Sequence, residues 1–170
     1  MTNDRLIPYQ PLDLAEPADL VAEIRKRRGV ARGWNHFIGN VRQQLSLDPK
    51  LRELGMCGVA VLNGAEYEFF HHAPPFLKAG GTQAQVDAMR HLGEDDFDPT
   101  PFSLLERDAL ELTLQMTRTI QVDSELMKRL QAALGNTVLV ELVTVIAAYN
   151  MVSRFLIALD IHPEDQAPKA

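Results

Sequence analysis

The sequence has few of the residues that form cross-links. Its single cysteine, Cys57, excludes an intrachain disulfide, and such a composition is typical of reducing compartments. We find no apolar run that looks long enough to span a bilayer. The first residues, Met1 to Arg5, lack the basic-then-apolar pattern of a signal peptide. These absences predict a cytoplasmic protein with no membrane partner.

The chain also has fewer basic than acidic residues. The 170-residue chain has 17 lysines and arginines against 23 acidic residues, and its formal net charge is -6. A net negative surface does not attract nucleic acid or anionic lipid, so we expect neither as a partner. The one basic run, residues 25–28, precedes Gly29, where a helix that begins at Pro17 is expected to end.

Helix-start and helix-stop signals are frequent along the rest of the chain. Asp48-Pro49 predicts a helix towards Asn63-Gly64, and a second helical piece should carry residues 67–78, broken or kinked at Pro74-Pro75. Further starts are predicted at Thr82 and Ser103, which each open a capping box, at Asp123, and at Asn136 after a stop at Gly135.

The predicted fold class is all-α, because no segment has the length and alternation of a strand. The helix from Asn136 is apolar nearly all round, so it is either a central core helix or part of a subunit interface. We divide the chain into an extended arm at 1–16, one helical domain at 17–162 and a polar tail at 163–170. The length suits a single domain.

Ionisable side chains concentrate in residues 62–72, with Glu53 upstream. This stretch contains Glu66, Tyr67, Glu68, His71 and His72, and the segments around it are largely apolar. Glu68 and His72 are four apart, so they share a face of a helix. Ionisable groups between buried segments are candidates for shifted pKa values and for catalysis.

The same stretch resembles the superfamily of carboxymuconolactone decarboxylases and alkyl hydroperoxidase D. The resemblance is carried by Glu53, by the segments 62–68 and 77–80 with His72 between them, and by later segments at 103–107 and 149–155. It implies an all-helical bundle that forms a homo-oligomer, a trimer or a hexamer.

The resemblance also implies which chemistry is absent. The hydroperoxidase branch uses a Cys-x-x-Cys pair assisted by a glutamate and a histidine, which fall on Glu53 and His72. The two cysteine positions fall on Ala65 and Glu68, so the chain is similar to a cysteine-free subgroup. Peroxidase chemistry through a disulfide needs an attacking thiolate and a resolving thiol, and this site has neither.

The remaining groups suit acid–base chemistry without a cofactor. A carboxylate that orients His72 makes it a general base, and a second carboxylate in apolar surroundings can be the acid. The expected activity is that of a lyase, isomerase or lactone hydrolase on a small carbonyl or lactone acid. Supporting or substrate-binding roles are assigned to six further side chains: Tyr67, His71, His36, Tyr149, Asn150 and Arg154.

Other interpretations stay open at this stage. The Glu–His pair is equally typical of a buried network that joins two helices in a non-catalytic oligomeric binding protein. A peroxidase that acts through Cys57 is a further alternative. Glu68, His72 and either Glu53 or His71 could form a metal site, but neighbouring His71 and His72 point about 100° apart on a helix. We therefore expect no metal.

Overall fold

The computed structural model describes residues 28–161, in which every regular element is an α-helix. It contains six elements in chain order: α1 (Arg28–Gln43), α2 (Pro49–Asn63), α3 (Glu66–Lys78), α4 (Gln83–Met89), α5 (Leu104–Arg118) and α6 (Ser124–Ala158). This confirms the all-α fold class. The arm at 1–16, the helix start at Pro17 and the tail at 163–170 lie outside the described residues.

Several helix boundaries follow the predicted local signals. The Asp48 side chain accepts hydrogen bonds from the N–H groups of Lys50 and Leu51 at the start of α2. Both capping boxes are formed, by Thr82 at α4 and Ser103 at α5. These side chains satisfy N–H groups that have no partner within the helix, which is why the helices begin where they do.

Two helix boundaries differ from expectation. A helix end at Gly29 is wrong, because Arg28 and Gly29 lie inside α1. A break at Pro74-Pro75 is also wrong, because α3 continues through both prolines to Lys78. Each proline lacks the N–H that would bond four residues back and its ring crowds that carbonyl, but the bonds of Ala79 and Gly81 to Pro75 and Phe76 close the last turn.

The last helix bends at Gly135. There the backbone has φ 73° and ψ 169°, a conformation that costs glycine little, so the predicted stop is confirmed as a break within one long element. The segment Ser124–Ala158 is apolar and long enough to cross a membrane, by length and composition alone. The expectation that no segment reaches that length is therefore wrong, although core helices of soluble proteins meet the same criterion.

The core lies around α2, which packs against α3, α5 and α6. Ten of its fifteen residues are buried, so it supplies the centre of the bundle. The second half of α6 lies beside it and buries Leu142, Ile146 and Tyr149, while Val140 and Met151 of the same helix are exposed. The α6 helix is thus a core helix with one uncovered apolar side. The packing of α2 against α3 and α6 brings together the polar residues described next.

Candidate active site

A tight helical hairpin sets the first contact of the site. Gly64 ends α2 in the left-handed conformation at φ 68°, and α3 begins only two residues later. The two helices therefore run back along each other, which places Glu53, in the first half of α2, opposite His72. Glu53 Oε2 lies 2.7 Å from His72 Nδ1, and both side chains are buried.

The other nitrogen of His72 faces two groups. Its Nε2 atom lies 2.9 Å from the hydroxyl of Tyr149 and 3.3 Å from Glu68 Oε2. The Glu68 contact has the distance of an ion pair but not the alignment of a hydrogen bond. Glu68 Oε2 is buried and has no hydrogen-bond partner among the described residues. A buried acceptor without a donor costs free energy, so we take this oxygen as the candidate reactive atom of the cluster.

Two arginines complete the cluster, and the sequence analysis missed both. Arg52 donates from Nε and Nη2 to Glu53 Oε1, at 3.2 and 3.0 Å. Arg42, at the end of α1, donates from Nε to the Tyr149 hydroxyl at 2.8 Å. A continuous chain of contacts thus runs from Arg52 through Glu53, His72 and Tyr149 to Arg42. Only the position of Arg52 beside Glu53 was a signal in the sequence, whereas Arg42 had none.

The charges of the cluster set its protonation. Burial favours the neutral imidazole, but the contacts with Glu53 and Glu68 and their negative charges outweigh it, and the pKa of His72 is raised above its ordinary 6.5. Burial likewise favours the neutral form of Glu53, but His72 and Arg52 outweigh it, and the pKa of Glu53 is lowered. Burial raises the pKa of the Tyr149 phenol. The favoured state is an imidazolium paired with the Glu53 carboxylate, beside a protonated phenol.

Other candidate residues from the sequence lie apart from this cluster. The rings of Tyr67 and His71 contact each other with their centroids 4.4 Å apart and their planes tilted by 54°, and His71 also contacts Phe70. Neither has a described contact with His72. His36 is exposed on α1, where its ring nitrogen lies 3.3 Å from Asn40.

Asn150 and Arg154 belong to a second polar network. The Asn150 side chain accepts from Asn63 at 3.1 Å and donates to Thr117 at 3.0 Å, so it joins α2, α5 and α6. Arg154 Nη1 donates to the carbonyl and the side-chain oxygen of Asn150, both at 2.9 Å. These contacts give Asn150 and Arg154 a structural explanation, although Asn150 is next to Tyr149 in the sequence.

Cys57 lies in the core with no exposed surface. Burial, followed by the charges of Glu53 and Glu68, raises the pKa of its thiol well above the ordinary value. A thiol in this environment is a poor nucleophile because the reactive species is the thiolate. The environment opposes the peroxidase alternative that would act through Cys57.

Two other surface features lie outside the cluster. A groove of about 210 Å³, mostly apolar, lies where α2 and α5 begin and α6 bends, and Lys50 and Glu106 form an ion pair at its edge. His91, Glu94 and Asp96 lie close enough together to share a metal ion, and all three are exposed. Within residues 28–161, Glu53, Glu68 and His72 do not form such a group, since the two carboxylates contact opposite nitrogens of the imidazole.

Comparison with known proteins agrees with the motifs. The model of the carboxymuconolactone decarboxylase family matches residues 28–106, which include α1 to α4 and the residues Glu53, Glu68 and His72. A comparison with curated proteins gives no match. The matched segment and the helical fold confirm the resemblance to the superfamily of carboxymuconolactone decarboxylases and alkyl hydroperoxidase D-like proteins over residues 28–106.

Proposed function

We propose that this protein is a cofactor-independent acid–base enzyme that acts on a small carbonyl or lactone acid. The observation that carries the proposal is the buried group of Glu68 Oε2 and His72 Nε2, 3.3 Å apart, with the Tyr149 hydroxyl 2.9 Å from the same nitrogen. An acid and a base that can reach adjacent atoms of one ligand are what enolisation requires. The superfamily match supports a decarboxylase-like chemistry.

The proton-transfer steps follow from the favoured charges. The Glu68 carboxylate takes a proton from the carbon next to the substrate carbonyl, and the electron pair of that C–H bond moves to the carbonyl oxygen. The His72 imidazolium donates a hydrogen bond to the enolate oxygen from Nε2, and the Tyr149 hydroxyl stabilises the same charge. Glu68 then returns the proton to a different carbon, which isomerises the substrate. In a decarboxylation, loss of CO₂ forms the enolate, and a proton from His72 quenches it.

This assignment reverses the roles expected from the sequence. There His72 was the base and a carboxylate the acid. The raised pKa of His72 favours the imidazolium, so the proposal makes His72 the acid and Glu68 the base. Glu53 orients the ring through Nδ1 and stabilises its charge, and Arg52 neutralises Glu53.

The unpartnered oxygen of Glu68 distinguishes this proposal from a purely structural network. A network that only joins helices is most stable when every buried acceptor receives a hydrogen bond. Glu53 meets that condition, since both of its oxygens are bonded, whereas Glu68 does not. Glu68 is therefore the residue whose substitution separates the two interpretations.

The test is proton exchange at carbon, which needs no knowledge of the product. Purified protein is incubated in D₂O with a panel of small keto acids and lactone acids, and deuterium incorporation and CO₂ release are followed by NMR. We expect Glu68→Gln and His72→Gln to stay folded and to lose exchange by about 100-fold or more, the usual size of a general acid–base contribution. Unchanged exchange in both variants would contradict the proposal.

Glu106→Gln is the matched control. Glu106 is also a buried carboxylate, but it bonds Ser103, Gln85 and Lys50 and has no described contact with His72. This variant should lose stability and keep exchange. If no substrate in the panel exchanges, and if Glu68→Gln lowers stability as Glu106→Gln does, the cluster has a structural role.

A further inference from the structure

The guanidinium of Arg42 is bonded through Nε, while its two terminal nitrogens point away from that bond. Its Nε atom donates to the Tyr149 hydroxyl at 2.8 Å, yet the residue itself is exposed. No carboxylate forms an ion pair with Arg42 among residues 28–161, and no contact of its two terminal nitrogens is described there. A guanidinium that is anchored at one edge presents the other edge as a fixed fork of donors.

The position of this fork relates it to the buried acid–base group. Tyr149 has no exposed surface, and its hydroxyl bonds both Arg42 and His72. Arg42 is thus the exposed end of the contact chain, one phenol oxygen away from the imidazole. A molecule bound to the terminal nitrogens of Arg42 would lie near the Tyr149 hydroxyl that contacts His72. The other arginine of the cluster, Arg52, donates from both of its bonding nitrogens to Glu53.

We propose that Arg42 is the substrate-anchoring residue of this site and that it binds a carboxylate of the substrate through its two terminal nitrogens. The inference rests on the proposed function and specifies its substrate class, an organic acid whose reacting carbonyl lies within a few bonds of the carboxylate. Planar carboxylates match the guanidinium fork with two parallel N–H···O bonds. Because Nε stays on Tyr149, binding of the acid also fixes the phenol that faces His72.

This assignment replaces Arg154 and His36, which the sequence suggested for the same task. Arg154 Nη1 is committed to two oxygens of Asn150, away from His72. His36 pairs with Asn40 on the exposed side of α1. Neither has a described contact with the Tyr149 hydroxyl or with His72. Arg154 is therefore a matched control, because it is an exposed arginine four residues from Asn150 on the same helix as Tyr149.

The test measures binding, separately from turnover. Acetate and benzoate are titrated into the full-length protein, with acetamide and benzamide as uncharged counterparts, while the Arg42 Nε–H and His72 imidazole resonances are followed by NMR. We expect saturable shifts of both resonances with the two acids and none with the amides. Arg42→Gln should weaken binding of the acids by at least about tenfold, as for loss of a charge-assisted pair, and Arg154→Gln should leave it unchanged.

Arg42→Lys separates charge from geometry. It keeps the positive charge but loses the fork and the bond to Tyr149, so we expect binding between that of the wild type and Arg42→Gln. Equal binding of acids and amides, absence of any binding, or equal losses in Arg42→Gln and Arg154→Gln would overturn the inference. Acid binding that depends on Arg42 without proton exchange at carbon would instead refute the proposed function alone.

Discussion

The hydroxyl of Tyr149 lies 2.9 Å from His72 Nε2, although the two residues are 77 positions apart in the chain. The contact joins α6 to α3, and their rings meet edge to face with centroids 4.8 Å apart. Because Arg42 Nε and the Nε2 of the His72 imidazolium both donate, the Tyr149 oxygen accepts from both, and its own proton points to neither. The phenol that serves the site is thus on the last helix.

The choice between two phenols gives the first prediction. Tyr149→Phe removes the link between Arg42 and His72, and it should lower the free energy of unfolding by about 1–3 kcal/mol because buried polar groups lose a partner. It should also reduce proton exchange at carbon. Tyr67→Phe, at the other phenol proposed from the sequence, should change exchange little because the Tyr67 ring contacts His71 instead. Urea denaturation and the exchange assay measure both effects. A larger loss of exchange in Tyr67→Phe would refute this choice.

The dependence of stability on pH gives a second prediction. The pKa of His72 is raised, so its stabilising contribution is complete below the ordinary 6.5 and is lost as pH rises through the folded-state value. The pKa of Glu53 is lowered, so its contribution is complete above the ordinary 4.5 and is lost as pH falls through the folded-state value. The pair should stabilise most between about pH 4.5 and 6.5.

The measurement is the free energy of unfolding across pH, in the wild type and in His72→Gln. The variant should show a smaller fall in stability above pH 6.5 than the wild type. Asp98 gives a check on the acid side, because its lowered pKa comes from bonds to Thr100 on the surface and survives in the variant. If the free energy of unfolding falls equally in the two proteins above pH 6.5, His72 is not held in its charged form.

The reactivity of Cys57 gives a third prediction. The buried thiol with its raised pKa should react with a soluble disulfide reagent only when the protein unfolds. Cys57→Ser should leave proton exchange unchanged at a temperature where the variant is folded. Reductant-dependent consumption of an organic hydroperoxide that disappears in Cys57→Ser would instead establish a one-cysteine peroxidase.

Local signals in the sequence predicted the helices well. Asp48, Thr82, Ser103 and Asp123 each cap the helix that they were expected to begin, because capping depends on residues within one turn. The shared helix face of Glu68 and His72 was also predictable, because it depends only on their spacing of four residues. The break predicted at the prolines of α3 was wrong, because packing and the bonds of the last turn hold that helix together and no local pattern reports these contacts.

Contacts between distant segments were beyond a pattern-based analysis. Arg42 meets Tyr149 across 107 positions, and a single arginine at a helix end carries no signal of such a partner. Tyr149 was among the supporting candidates from the sequence, but whether it would face His72 depends on the rotation of α6 about its own axis. The pairing of Glu53 with His72 came from the superfamily resemblance, and the hairpin at Gly64 supplies its physical cause.

The most direct test of the account is the pH titration of the His72 imidazole by NMR, in the wild type and in Glu53→Gln. The account predicts a wild-type pKa above 6.5 with Nδ1 protonated towards Glu53, and a lower pKa in Glu53→Gln because the orienting negative charge is gone. A wild-type pKa at or below 6.5, or no change in Glu53→Gln, would contradict the imidazolium on which the proposed chemistry depends.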